Sequence, residues 1–193
     1  QGFVTAELTT SAPGAGCLAA AVNRQGKMLG VMVVRFFDDH LLLESEAVAP
    51  LLAHLGKFII MEDVALEERS WSAYELSGPS AHPVPPMPWW HFVPWQGGFA
   101  STDHTLGRGG CTILVPGEAR IDADPIDESA REALRIANGF PRWGVDMGPD
   151  ELPMEAGLDP AAISYSKGCY LGQEVILRVK TYSEPPKRLV LLE

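Results

Sequence analysis

The apolar positions of residues 27–70 predict two strands, a helix and a further strand. KMLGVMVVRF is apolar and rich in β-branched residues, and an Asp-Asp-His turn at 38–40 leads into LLLES, which together are typical of two strands. Apolar residues then recur at helical spacing. They are Val48, Leu51, Leu52, Leu55, Phe58 and Ile59. VALEE, which follows, alternates apolar and polar residues and predicts another strand.

Prolines interrupt the pattern between residues 78 and 97. This window holds six prolines and the tryptophans Trp89, Trp90 and Trp95. Each proline lacks a backbone N–H and restricts the residue before it, so we expect a long loop or a crossover between lobes rather than a helix or central strand. The tryptophans are interpreted as covering an apolar edge, with a partner surface as the alternative.

A strand and a capped helix are predicted next. CTILVP predicts the strand. A helix over about 126–137 can be capped by Asp124 or Asp127, and Asn138-Gly139 followed by Pro141 predicts its end. Small apolar residues give this helix one face. They are Ala130, Ala133, Leu134 and Ala137.

GQEVILRVK predicts a last helix, in which Glu174 and Arg178 form an i,i+4 pair. KRLVLLE, at the end of the sequence, is interpreted as a strand, and both ends are expected to be cut from a longer protein. Helices and strands are mixed without a regular strand-helix-strand alternation. The pattern therefore predicts an α+β protein.

Size and composition limit the possible functions. The 193 residues, 46% of them hydrophobic, suffice for one large domain or two small interlocked ones. No apolar run approaches the roughly 18 to 20 residues of a membrane span, and QGFVTAELTT has neither a basic nor an apolar leader region, which favours a cytoplasmic protein. The net charge of −10 argues against nucleic acid as a partner.

The basic residues are concentrated near the end of the sequence. Between Lys167 and Arg188, five basic residues stand against two acidic ones. This local excess would steer an anionic small ligand to the region, or it is a solvated basic edge. Both interpretations stay open.

The cysteines are too few and too widely spaced for a disulfide framework or a Cys-x-x-Cys metal site. They are Cys17, Cys111 and Cys169. We therefore expect reduced thiols and no metal centre, with Cys17 and Cys111 as core or strand residues.

Cys169 lies in the segment KGCYLGQE, between two glycines and shortly before the last predicted helix. A helix N-terminus and Lys167, two residues earlier, would favour the reactive thiolate form. Gly168 and Gly172 allow a ligand to approach the backbone, and Tyr170 offers a stacking face. The alternative is a tight turn around a small buried side chain.

KGCYLGQE followed by Arg178, with LPMEAGLDPAAISYS, LRIANGFPRWGVDM and NRQGKMLG before it, closely resembles the folate-binding YgfZ family. This family is related to the aminomethyltransferase (T-protein) of the glycine cleavage system. The resemblance implies an aminomethyltransferase-like α+β fold of two intertwined lobes around a folate-sized channel, with a C-terminal β-barrel lobe. Residues 1–182 would form the folate-binding domain, truncated at its N-terminus, and residues 183–193 the first strand of a mostly missing barrel.

The resemblance also implies a function in which Cys169 and Lys167 carry the chemistry and tetrahydrofolate is the cofactor. Residues implied to contact the cofactor are Asn23, Tyr170, Gln173, Glu174 and Arg178. The family is linked to tRNA modification and iron–sulfur cluster assembly. The leading hypothesis is thus a tetrahydrofolate-binding accessory protein for assembly or repair of iron–sulfur enzymes, with client or assembly proteins as partners.

Two positions depart from the aminomethyltransferase pattern. The aspartate central to aminomethyl transfer corresponds to Gly30, followed by Val31, and a pteridine-binding glutamate corresponds to Ala137. A folate-dependent aminomethyltransferase is therefore the second hypothesis. A non-catalytic binding module, in which Cys169 only shapes a turn, is the third.

Three further residues are weaker candidates. Glu155 could reach a ligand, but a carboxylate that closes its own loop by accepting backbone N–H groups is the favoured interpretation. His104 and Arg108, in DHTLGRGG, could contribute to a channel mouth, although a solvated loop is favoured.

Overall fold

The computed structural model describes residues 2–78, 84–103, 105–107 and 109–192. These residues form an α+β fold with two antiparallel sheets, which confirms the predicted class. The strands are β1 (Gly16–Val22), β2 (Met28–Phe36), β3 (Leu41–Glu44), β4 (Ser72–Leu76), β5 (Phe92–Trp95), β6 (Gly98–Thr102) and β7 (Cys111–Val115). The helices are α1 (Val48–Gly56), α2 (Glu128–Ala137), α3 (Asp159–Ala162) and α4 (Gln173–Tyr182).

The first sheet has the order β1-β2-β3, and α1 packs against β2. Strands β2 and β3 and helix α1 follow the predicted pattern, although α1 ends at Gly56, before Phe58 and Ile59, and β1 was not predicted. Gly30 allows the close approach of α1, because a Cβ at this position would lie 2.8 Å from Cγ of Leu51. Side chains of β1 and β2 make up much of the buried core.

The strand predicted for VALEE is wrong. Residues 64–68 are exposed and belong to no strand. Alternation of apolar and polar residues describes a strand with one buried face, but a strand also needs a neighbour that pairs with its backbone groups. This segment has no such neighbour among the described residues.

The second sheet has the order β4-β7-β6-β5. The predicted strand CTILVP is confirmed as β7, a central strand whose residues are all buried. The expectation of a loop across residues 78–97 is wrong for β5, in which Pro94 lies opposite Phe99. A proline is tolerated there because β5 is an edge strand, which lies beside one strand only among the described residues. Residues 79–83 of this window lie outside the described residues.

Residues 2–6, the N-terminal segment, lie along residues 164–171, the Cys169 loop. The backbone N–H of Ser164 donates to the carbonyl oxygen of Thr5 at 2.9 Å, and that of Leu171 donates to Gly2 at 3.0 Å. The Thr5 hydroxyl donates to the carbonyl oxygen of Ala162 at 2.5 Å. Thr5 is fully buried, so the two segments are fixed to each other.

Helix α2 has the predicted cap but a different buried face. The Asp127 carboxylate accepts from the backbone N–H of Ala130 at 2.8 Å, as predicted. The predicted small apolar face is exposed, and Arg135 is the buried residue of the helix. Helical spacing fixes which residues share a face, but ion pairs described below decide which face turns inward.

Helix α4 is confirmed, and the Glu174 and Arg178 side chains form the predicted i,i+4 ion pair at 3.1 Å. Beyond it, residues 183–192 contain no strand, and the side chains of Leu189, Val190, Leu191 and Leu192 are exposed. The assignment of residues 183–193 to a barrel lobe stays a prediction. None of the helices in the described part of the chain is long and apolar enough to cross a membrane.

Candidate functional site

A cavity of about 490 Å³ lies between the two sheets and the segment that follows α2. Its volume is within the range of about 300–1,000 Å³ that is typical of small-molecule sites. The lining from the first sheet and its neighbourhood comprises Leu18, Val31, Met32, Val33, Glu44, Ser45 and Glu46. The remaining lining comprises Ala73, Glu75, Trp90, Asp103, Thr105, Thr112, Arg131, Arg135, Phe140, Pro141, Arg142, Trp143 and Met147.

Strand β2 supplies part of an apolar wall. Successive side chains of a strand point to opposite faces, so Val31 and Val33 line the cavity while Gly30 faces α1. Aromatic rings extend this wall, among them Trp90, which is 9% exposed, and Phe140. A flat, largely apolar ring system matches such a wall.

Asp103 and the two threonines form a fixed polar corner of the cavity. The Asp103 carboxylate accepts from the backbone N–H and hydroxyl of Thr105, at 2.7 and 2.5 Å. Its other oxygen accepts from the hydroxyl of Thr112 at 2.9 Å. This corner can therefore offer oriented oxygen acceptors to the N–H groups of a ligand.

Three arginines line the cavity on the side of α2, and each is ion-paired. The Arg131 guanidinium is 2.5 Å from the Glu75 carboxylate, and that of Arg135 is 2.7 Å from Asp146. Arg142 is 3.1 Å from Glu132. Hydrogen bonding by Arg135 and the charges of Arg135 and Arg142 lower the pKa of Glu132 to about 2.

Cys169 is exposed, which agrees with the prediction of an accessible thiol. Lys167, however, is buried and directs its ammonium to the carbonyl oxygens of Val4 at 2.7 Å and Ala6 at 2.6 Å. Burial lowers the pKa of Lys167, whereas the charges of Glu7 and Cys17 raise it. Helix α4 begins four residues after Cys169, at Gln173. The thiolate role predicted for Lys167 and Cys169 stays a prediction.

The predicted cofactor-binding residues lie near the Cys169 loop and α4. Tyr170 is buried in the core, where burial raises its pKa to about 12. The Asn23 side-chain oxygen accepts from the backbone N–H groups of Gln25 and Lys27, which closes the β1–β2 turn. Gln173 is half-buried, while Glu174 and Arg178 are exposed and pair with each other.

The cavity and the predicted site residues are separate sets. The described cavity lining contains neither Cys169 and Lys167 nor the five predicted cofactor-binding residues. Their role in cofactor binding therefore stays a prediction. Four of the five basic residues of this region are exposed and pair with carboxylates, such as Lys180 with Asp159 at 3.8 Å and Lys187 with Glu151 at 3.2 Å, which favours the solvated basic edge.

The remaining candidate residues in the described part of the chain do not line this cavity. Glu155 is buried and accepts from the backbone N–H of Leu152 at 2.6 Å, as the loop-closing interpretation predicts. Burial raises the pKa values of Cys17 and Cys111 to about 11, which agrees with core or strand positions. Ala137 is exposed and is not among the cavity-lining residues. His104 and Arg108 lie outside the described residues.

Sequence reasoning missed the cavity residues of β2, β4 and α2. The charged pattern of EALRIANGFPRW, with Glu132, Arg135 and Arg142, was the available signal, because a basic residue on the inner face of a helix needs an acidic partner. Among the described residues, no cluster of three or more histidine, cysteine or carboxylate side chains could hold a metal ion.

Known proteins share both sequence and fold with the chain. A mitochondrial iron-sulfur cluster assembly factor IBA57 homologue from Phaeosphaeria nodorum is 37% identical over 71 residues, which are 36% of this chain and 18% of that protein. A mitochondrial aminomethyltransferase from Mesembryanthemum crystallinum is 27% identical over 97% of this chain and 55% of its own length. No family model matches the chain.

The crystal structure of glycine cleavage system aminomethyltransferase T from Bartonella henselae has the same fold. It matches 94% of this chain with a TM-score of 0.75 and 19% sequence identity. The chain spans 57% of that protein, and less than two thirds of each of these relatives.

The two sheets and the structural match define an α+β protein with the aminomethyltransferase-like fold, as predicted. The sequence similarity to the IBA57 homologue and the fold of aminomethyltransferase T support the resemblance to YgfZ/aminomethyltransferase-like proteins that KGCYLGQE indicates. The resemblance that the motif predicted is thereby confirmed.

Proposed function

We propose that the protein is a tetrahydrofolate-binding accessory factor that supports the assembly or repair of iron–sulfur enzymes. The cavity of about 490 Å³ between the sheets carries the proposal for the ligand. The names of two relatives, an iron-sulfur cluster assembly factor and an aminomethyltransferase, support the proposed process and the class of cofactor.

The walls of the cavity fit a reduced pterin. Val31, Val33 and Trp90 can contact the faces of a bicyclic ring, and the acceptor oxygens of Asp103 suit its amino and ring N–H donors. Bound tetrahydrofolate would supply a one-carbon carrier at this place. The residues of the chain would bind and orient the ring and exclude water from one of its faces.

Cys169 is proposed as the site that meets the client or assembly protein. Its thiol is exposed, and the Cys169 loop is fixed by hydrogen bonds to the N-terminal segment. An exposed thiol on a fixed loop is accessible to the surface of another protein. The cavity and the thiol would thus serve two partners, a small molecule and a protein.

The alternative, aminomethyl transfer, needs an acid or base at the reacting carbon, and the resemblance places this group at the position of Gly30. At the position that corresponds to the transferase aspartate, Gly30 packs against α1, and the following Val31 presents a hydrocarbon side chain to the cavity. Neither residue can transfer a proton. This observation favours the accessory factor.

Calorimetric titration with tetrahydrofolate tests the ligand. Val33→Trp would place an indole ring against the wall where the pterin is proposed to lie and should abolish binding, whereas Val64→Trp, the same change at an exposed position, should leave the affinity unchanged. Equal binding by both variants would place the ligand elsewhere and overturn this assignment of the site.

The accessory function needs a separate assay in cells that lack their own factor. Expression of the full-length protein should restore the activity of an iron–sulfur enzyme. Cys169→Ser should abolish this rescue but not tetrahydrofolate binding. Aminomethyl transfer to tetrahydrofolate by the purified protein would instead establish the alternative.

A further inference from the structure

The charges that line the cavity give it no cationic surplus. Among its described residues, four carboxylates stand against three arginines, a formal balance of −1. The carboxylates are Glu44, Glu46, Glu75 and Asp103, and the arginines are Arg131, Arg135 and Arg142. Tetrahydrofolate has an uncharged pterin head and an anionic glutamate tail, so this balance affects its two ends differently.

Arg135 has its donors engaged by the protein. Its side chain is 4% exposed. Glu132 accepts from its Nε at 3.0 Å and from one terminal nitrogen at 2.5 Å. The other terminal nitrogen donates to Asp146 at 2.7 Å and to the carbonyl oxygen of Phe140. A ligand carboxylate would have to displace a protein acceptor to bind this guanidinium.

Carboxylates balance the charges of Arg131 and Arg142 in the same way. Besides its pair with Glu75, Arg131 lies 3.4 Å from Glu128. Arg142 lies 3.6 Å from Glu128 and 3.5 Å from Glu46, in addition to its pair with Glu132. A second anion that approaches such a pair gains attraction from the arginine and repulsion from the carboxylate, and the two nearly cancel.

We propose that this cavity selects the pterin head of a reduced folate and gives no added affinity for a poly-γ-glutamyl tail. The inference rests on the proposed function and specifies which part of the ligand the site recognises. Apolar walls and oxygen acceptors bind the head, while the paired arginines leave the tail to the solvent. Glu75 is the specificity-determining residue, because it neutralises Arg131 at the wall.

Three probes measured by calorimetry at 50 and 200 mM salt test this inference. They are 6-methyltetrahydropterin, tetrahydrofolate with one glutamate and tetrahydrofolate with three glutamates. We expect all three dissociation constants to agree within about threefold, with little salt dependence, because screening acts only on uncompensated charges. A triglutamate affinity more than about tenfold above that of the pterin, and lost at high salt, would overturn the inference.

Removing the charge of Glu75 tests its proposed role in specificity. Glu75→Gln keeps the side-chain size but removes the nearer of the two carboxylates that balance the Arg131 charge, so triglutamate binding should tighten by about three- to tenfold while pterin binding stays constant. Glu67→Gln makes the same change in the exposed segment that precedes β4 and should alter neither affinity. A triglutamate affinity of Glu75→Gln equal to that of the parent protein would contradict the role of Glu75.

The outcomes separate the inference from the proposed function. If no probe binds, tetrahydrofolate binding itself is wrong, and the inference fails with it. If the probes bind but the tail dominates the affinity, the proposed function stands and only the inference fails. Should Glu75→Gln not fold, the salt dependence of the parent protein decides the question.

Discussion

The ammonium of Lys167 donates a hydrogen bond to the carbonyl oxygen of Val4, which lies 2.7 Å away and 163 positions earlier in the chain. A second bond, to Ala6 at 2.6 Å, makes the lysine a clamp between the N-terminal segment and the Cys169 loop. Through this clamp, Lys167 orders the backbone on which Cys169 is exposed. The side chain thus has a structural role in the fold.

Replacement of Lys167 by methionine should lower the free energy of unfolding by about 2 to 3 kcal/mol, because it leaves two buried carbonyl oxygens without their charged donor. Urea denaturation measures the change. Lys180→Met is the matched control, since Lys180 is 54% exposed and 3.8 Å from Asp159, and it should cost no more than about 0.5 kcal/mol. Equal losses in both variants would contradict the clamp.

His54 should make the stability of the protein depend on pH. Burial, opposed by the hydrogen bond to the Phe3 backbone and aided by the charge of Lys57, holds the pKa of His54 below its ordinary value of 6.5. The unfolded chain therefore binds a proton that the folded protein does not. Its contribution to stability is complete above pH 6.5 and is lost as the pH falls from 6.5 through the lower folded pKa.

Denaturation midpoints between pH 8 and 5 check this dependence. The parent protein should lose stability over the acidic half of that range, and His54→Gln should lose less. His40→Gln, in the exposed β2–β3 turn, should keep the slope of the parent protein. An unchanged slope in His54→Gln would assign the pH dependence to other groups.

Local signals predicted most of the secondary structure. Asp127 caps α2 where the sequence places a cap, and α4 spans the predicted residues with its Glu174–Arg178 pair. Such signals depend only on neighbours within about four positions. Strand β4 was missed because it depends on pairing with β7, far away in sequence, and edge strand β5 was missed because its proline argued against a strand. Strands β1 and β6 were not predicted either.

The motif predicted the fold family but not the surroundings of its own residues. Spacing placed Lys167 beside Cys169, whereas the fold turns its ammonium toward Val4. The cavity could not be predicted at all, since Val33, Glu75 and Arg142 come from separate elements. A sequence pattern does not show which side chains, distant along the chain, line the same cavity.

Gly30 should tolerate no side chain. A Cβ at this position would lie 2.8 Å from Cγ of Leu51 and 2.9 Å from the Cβ of Ala47. Gly30→Ala should therefore destabilise the protein by about 1 to 3 kcal/mol through overpacking against α1. Gly56 is the last residue of the same helix, and a Cβ built there would meet no other part of the protein within 4 Å. Gly56→Ala should therefore stabilise the protein by about 0.5 to 1 kcal/mol. Thermal denaturation of the two variants should thus shift in opposite directions.

Arg135 should contribute more to stability than an arginine paired at the surface. Its guanidinium is 4% exposed and holds Glu132, Asp146 and the carbonyl oxygen of Phe140. Arg135→Met leaves these acceptors without their donor, so we expect a loss of about 2 to 4 kcal/mol in urea denaturation. Arg69→Met removes an exposed ion pair with Glu67 and should cost less than about 1 kcal/mol. If the two losses were similar, the ion pairs of Arg135 would not be what holds α2 to the cavity wall.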